Sequence, residues 1–133
     1  MRTPRNLLSF AGVAGFTVFG AAAQPPAAVT PLLTRALPDL AGKEVTMLTV
    51  EYPPGGASAP HRHDANTFVY VLEGAVVMQV TGGNEVTLRA GDTFYETPTD
   101  IHAVSRNASA TAPAKFLVFQ VKDQGAPGTR PVD

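Results

Sequence analysis

The chain has 133 residues, no cysteine, 10 Lys plus Arg against 11 Asp plus Glu, and a formal charge of −1. That length accommodates one domain. Charge spread this evenly gives neither the basic face of a nucleic-acid binder nor the acidic run of a disordered tail. The missing cysteines exclude disulfides, thiolate ligands and thiol nucleophiles.

In chain order, Arg2 and Arg5 precede an uncharged apolar run from Leu7 to Gly20, and Ala21-Ala22-Ala23 follows. Positive charge, a short apolar core and small residues at the positions a signal peptidase reads predict a cleaved export signal over 1–23. The protein is then expected in the periplasm or outside the cell, with no stable membrane association after cleavage. The alternative is a membrane anchor. A spanning helix needs about 20 predominantly apolar residues, and Leu7 to Ala23 falls short, with glycines at 12, 15 and 20. The two arginines are not adjacent, so a twin-arginine route is not supported, and a lipid-attached cysteine is impossible.

Residues 24–43 read as a lead-in. Gln24 to Pro31 is rich in Pro and Ala and expected to be loose; "LLTRAL" (32–37) fits one helical turn or an extended arm. From residue 44 to 122 the pattern is all-β. Runs rich in β-branched and aromatic residues occupy 44–52, 67–72, 75–80, 85–89, 92–96, 101–105 and 115–122, separated by Gly, Pro and Asn turns. A short strand around His61 to His63 brings the count to about eight. No window shows helical periodicity. Residues 123–133 are expected to form a flexible tail. This many short strands implies a small β-barrel or a double-sheet jelly roll, whose interior holds one small ligand. An immunoglobulin-like sandwich is the alternative, but the chain has neither a Cys pair nor a Trp.

The chain has three histidines, His61, His63 and His102. Residues at i and i+2 of a strand share a face, so His61 and His63 aim at one point. His102 opens a later strand that a closed sheet can bring beside them. Imidazoles suit zinc, copper, iron and nickel, and three protein ligands leave positions open. Strand histidines are common, however, and the spacing alone leaves the metal reading open. Glu96 shares strand parity with Phe94 and Asp92. Facing inward it supplies a carboxylate as ligand or general acid/base; facing outward it is an ordinary solvated glutamate. Arg62, between the two histidines, should point out, and Tyr95 should take the face opposite Glu96. Tyr52 and Tyr70 read as core or interface residues, and Asp64 and Asn66 as turn residues. Phe116 to Phe119 is apolar on both faces, which fits a buried strand or a dimer interface.

Gly55, five residues, His61-Arg62-His63, three residues, Thr67, six residues and Gly74 resemble the first motif of the cupins. "GDTFYETPTDIHAVSRN" (91–107) resembles the second, with His102 as the last histidine ligand, Asp100 in place of a turn glycine and Asn107 displaced by one. The resemblance spans roughly 44–122 and implies a double-stranded β-helix, or jelly-roll barrel. It implies one divalent transition metal per chain (Fe, Mn, Zn, Ni or Cu) on His61, His63 and His102, a small-molecule substrate, and a homodimer. The family's pattern has glutamate where this chain has Thr67. Three imidazoles alone would leave a divalent ion its full charge and favour anionic substrates. The expected function is a metal-dependent enzyme on a small organic molecule, dioxygenase-like ahead of lyase- or isomerase-like, with Glu96 as the candidate catalytic residue. The alternatives are a non-catalytic metal- or ligand-binding module and a structural cupin with a vestigial site.

Overall fold

The computed structural model describes residues 23–133; most of the expected export signal lies outside the described residues. Among the described residues eleven strands form two sheets. They are β1 (Ala28–Ala36), β2 (Lys43–Tyr52), β3 (Ala57–Ser58), β4 (His61–Arg62), β5 (Asn66–Glu73), β6 (Ala75–Val80), β7 (Val86–Arg89), β8 (Thr93–Glu96), β9 (His102–Asn107), β10 (Ala114–Asp123) and β11 (Arg130–Pro131). The five-stranded sheet runs β1-β2-β10-β5-β8 and the six-stranded sheet runs β11-β4-β9-β6-β7, with β3 also paired to β9. Every pairing is antiparallel. This is a jelly-roll barrel, as the strand spacing predicts.

Alternation builds the core. On β5, Thr67, Val69 and Val71 face in while Phe68, Tyr70 and Leu72 face out, and on β10 Phe116 and Val118 face in. These residues meet Val76, Met78 and Leu88 from the other sheet. Each buried aliphatic side chain contributes about 1.5–3 kcal/mol relative to exposure. Phe116–Phe119 is thus not buried on both faces. Its outward members, Leu117 and Phe119, join Phe68, Tyr70 and Tyr95 in an apolar groove on the outer face of the five-stranded sheet. There the Phe68 ring lies 5.1 Å from Tyr95 and 6.1 Å from Phe119.

Two local devices position the site. Gly74, the last residue of the first motif, has φ 70° in the β5–β6 turn, and an added Cβ would lie 2.5 Å from the Pro113 carbonyl oxygen. Only glycine fits there. On β9, His102 pairs with Val80 but Val104 pairs with Gln79, so Ala103 is an extra, bulged residue. The bulge resets the parity, and His102, Ser105 and Asn107 all face inward.

Both ends of the described region differ in part from expectation. Gln24 to Ala27 form no strand, but Ala28 to Ala36 pairs with β2 along its length, and the arm takes the extended form of the two the sequence allows. Its stabilisation comes from backbone ladder bonds, because every one of its side chains is exposed. The tail is not free either. β11 pairs with β4, and the buried Lys122 ammonium donates to the Ala126 carbonyl and pairs with Glu44.

Candidate metal centre

His61 and His102 are register partners across β4 and β9, and His63 follows on the same side of the chain as His61. Asp64 makes the turn after His63 at φ 50°, a left-handed conformation that aspartate tolerates, and its carboxylate pairs with Arg62 at 3.1 Å and Arg130 at 2.6 Å. Arg62 therefore points outward. The imidazole centroids lie 4.8, 5.0 and 6.4 Å apart, and one ligand atom from each falls within 4.8 Å of the others. His63 and His102 are buried, whereas His61 stands half-exposed at the mouth.

Glu96 faces inward at 1% exposure. Its Oε1 is 3.3 Å from His102 Nδ1 and its Oε2 is 3.6 Å from His63 Nε2. Phe94, two residues earlier, shares its face and stacks on the His102 ring at 5.9 Å. Asp92 does not join them; it precedes the strand and accepts the Arg89 amide, closing a turn. Thr67 and Glu96 are direct register partners on β5 and β8, and such partners have Cβ atoms about 5 Å apart. The carboxylate absent from position 67 therefore stands one strand over, on the same inner face. A bound ion would meet an acidic oxygen there as well as three imidazoles, so the strongly positive site expected from Thr67 alone does not arise. Thr67, fully buried, instead accepts a long hydrogen bond from Gln120 Nε2 at 3.4 Å.

Two of the histidines are held from behind. His61 Nδ1 lies 2.7 Å from the Ala59 carbonyl and His63 Nδ1 lies 2.7 Å from the Gly128 carbonyl. A carbonyl only accepts, so both Nδ1 atoms carry the proton and each Nε2 keeps a lone pair for a ligand; the Gln120 amide nitrogen, 2.9 Å from His63 Nδ1, is then a second donor beside the ring and not its partner. Gln120 Nε2 donates to the same Gly128 carbonyl at 2.9 Å, so Gln120 and His63 converge on one oxygen from the tail. His102 and Glu96 have weaker support. Both nitrogens of His102 and both oxygens of Glu96 are buried without a well-aligned hydrogen-bond partner, the only such side-chain atoms among the described residues, although the Val104 backbone lies close to the His102 ring. Burial pushes the Glu96 carboxyl up to about 7, with Asp100 adding repulsion. Burial, then the neighbouring His61 and His63, pushes His102 down to about 3. Four orphaned polar atoms facing two free Nε2 lone pairs are the chemistry of a donor set for a transition metal.

The Cupin domain family (Cupin_2) matches residues 48–120. This chain is a cupin. The cupin is 31% identical over 110 residues to germin-like protein subfamily 2 member 2 of Arabidopsis thaliana, a match over 79% of this chain and 48% of that protein. It is 32% identical over 107 residues to germin-like protein 5-1 of Oryza sativa subsp. japonica, covering 77% and 47%. The chain thus spans about half the length of these plant relatives. An oxalate oxidase solved with the substrate analogue glycolate is 28% identical with a TM-score of 0.60, over 78% of this chain and 54% of that one. A cupin domain from Bordetella pertussis shares the fold at 21% identity and TM-score 0.61, over 77% and 99% of the two chains.

Around this centre the barrel encloses a cavity of about 550 Å³. Pattern reading missed several residues at work here. Gln120 was discoverable, being the polar member of the inward series Phe116, Val118, Gln120. The Ala59 and Gly128 carbonyls were not, because main-chain acceptors carry no side-chain signature. In the second motif Asp100 replaces the turn glycine by accepting the Thr97 amide at 2.7 Å. Asn107 is buried and donates to the Pro53 and Ala112 carbonyls, tying the end of β9 to two loops.

Proposed function

We propose that this cupin is a metal-dependent enzyme acting on a small organic molecule, with one divalent transition metal held by His61, His63 and His102 and with Glu96 as the adjoining carboxylate. The observation that carries the proposal is the set of four orphaned buried atoms on Glu96 and His102. Without an ion this would be an expensive arrangement, costing about 1–3 kcal/mol per unpaired group. When bound, the metal would supply Lewis acidity and, for iron, manganese or copper, redox chemistry. The oxalate oxidase likeness favours oxidative chemistry over lyase or isomerase chemistry. In this reading the Ala59 and Gly128 carbonyls orient the imidazoles, and the apolar barrel wall excludes water. Glu96, beside the ion, takes a proton from substrate at Oε1 or Oε2 and returns it.

Export over 1–23 and a homodimer through the outer aromatic face of the five-stranded sheet complete the proposal. Exposed Phe68, Tyr70, Leu72 and Tyr95 form an apolar patch of the kind that marks an interface. Metal analysis of untagged protein tests the centre. One equivalent per chain supports it, and no bound transition metal refutes it. A loaded protein that turns over nothing in a broad substrate panel, with or without oxygen, would leave a binding module. Mass spectrometry of the exported protein should find Gln24 as the first residue, and sedimentation should find a dimer that Tyr70→Arg splits.

A further inference from the structure

The cavity has a second polar end. Tyr52 Oη lies 2.7 Å from Ser58 Oγ and 2.8 Å from Ser105 Oγ, and all three residues line the same cavity as the metal centre. Tyr52 is 1% exposed, its ring packed on Phe116 at 5.5 Å. Ser58 and Ser105 are register partners on β3 and β9, so the cluster is tied to two strands. Two hydrogen bonds among three hydroxyls consume two protons. One of the three hydroxyls keeps its own proton, and neither serine side chain has any other partner among the described residues. This cluster therefore presents one unspent donor to the cavity.

The separation of the two ends follows from the β9 register. His102 and Ser105 stand opposite Val80 and Met78, two residues apart on β6, or about 7 Å along the strand. Between them the wall is Val50, Val69, Phe116 and Val118, and among the described residues no lysine or arginine lines the cavity. A small dianion would find no second cation to hold its far end. An uncharged ring-sized body would bury its surface against the wall.

Building on the metal-centre reading, we infer that the Tyr52–Ser58–Ser105 hydroxyl cluster is a substrate-recognition site for the far end of the ligand. It selects a neutral or singly charged, ring-sized molecule with a metal-binding oxygen at one end and a hydrogen-bond-accepting oxygen at the other. Tyr52, Ser58 and Ser105 are then the specificity-determining residues.

The test is a matched pair of probes on cobalt-loaded protein, followed by calorimetry and by the cobalt absorption spectrum. 4-Hydroxyacetophenone has a phenol and a carbonyl at opposite ends of one ring, while 4-ethylphenol keeps the shape and loses the acceptor. The wild type should prefer 4-hydroxyacetophenone by about fivefold, the worth of one neutral hydrogen bond. Tyr52→Phe combined with Ser58→Ala and Ser105→Ala, which removes all three hydroxyls, should abolish that preference while leaving cobalt content and 4-ethylphenol affinity unchanged. Equal affinity of the two probes in the wild type, no binding of either, or a preference that persists in this variant overturns the inference. Cobalt content is read on the same samples. Failure of the metal centre would therefore appear as missing cobalt, with the preference for the carbonyl probe still measurable by calorimetry.

Discussion

The two halves of the metal centre are built differently. His61 and His63 are preorganised, each with its rear nitrogen fixed by a carbonyl, so their lone pairs are aimed before any ligand arrives. His102 and Glu96 are buried with every polar atom unpaired. The first half sets direction, and the second supplies most of the unsatisfied potential that a cation would relieve. In the empty protein the first half therefore stabilises the fold while the second destabilises it, and the variants below should separate the two.

The largest effect should come from His102→Ala, which removes one member of the unsupported half. Metal content measured by mass spectrometry should fall from one equivalent per chain to near zero, and full retention would remove His102 from the ligand set. Glu96→Gln should come next. Burial raises the native carboxyl pKa above its unfolded value, so the empty fold loses stability as pH rises from about 4.3 through about 7. Glu96→Gln should therefore stabilise the metal-free protein at pH 8, on the order of 1–2 kcal/mol by denaturant unfolding, while weakening metal binding. An equally unstable variant would argue that Glu96 is not ionised there.

The same shift fixes the pH dependence of loading. Below pH 7 the empty site holds Glu96 protonated, and the metal must displace that proton, whereas His102 is already neutral. Wild-type affinity should rise about tenfold per pH unit from about pH 5 to 7 and then flatten, and Glu96→Gln should lose that slope. A smaller effect tests the supported half. Deleting 125–133 removes the Gly128 carbonyl from His63, and affinity should drop about 10- to 100-fold, the usual cost of losing a ligand's outer partner. An unchanged affinity would show the tail to be dispensable. Finally, Thr67→Glu combined with Glu96→Thr should recover most of the affinity lost by Glu96→Thr alone, because the two positions face each other across one ladder.

Much of this was legible in the sequence because it rests on side-chain pattern. Seven strands and the short one at His61 fall within a residue or two of their expected places, since alternation and turn residues agree there. The convergence of the three histidines was legible for the same reason. β1 was not, because it buries neither face and its Pro31 breaks the usual strand signal. Nor was the ordered tail, which is held by short main-chain pairing and the Gly128 carbonyl. Glu96 was half legible: parity allowed an inward carboxylate, but only strand pairing shows that it stands opposite Thr67. A motif is a string along one strand, whereas this site is a neighbourhood across several.

The bulge at Ala103 has a consequence for how such a chain can diverge. Met78 and Val80 share a face of β6, and the extra residue on β9 is what allows His102 and Ser105 to share one as well. Losing the single codon for Ala103 would leave His102 and Ser105 two residues apart in a regular strand, still opposite Val80 and Met78 and still on one face. The bulge is thus a place where the gene can lose a codon and keep the imidazole and hydroxyl ends of the cavity together.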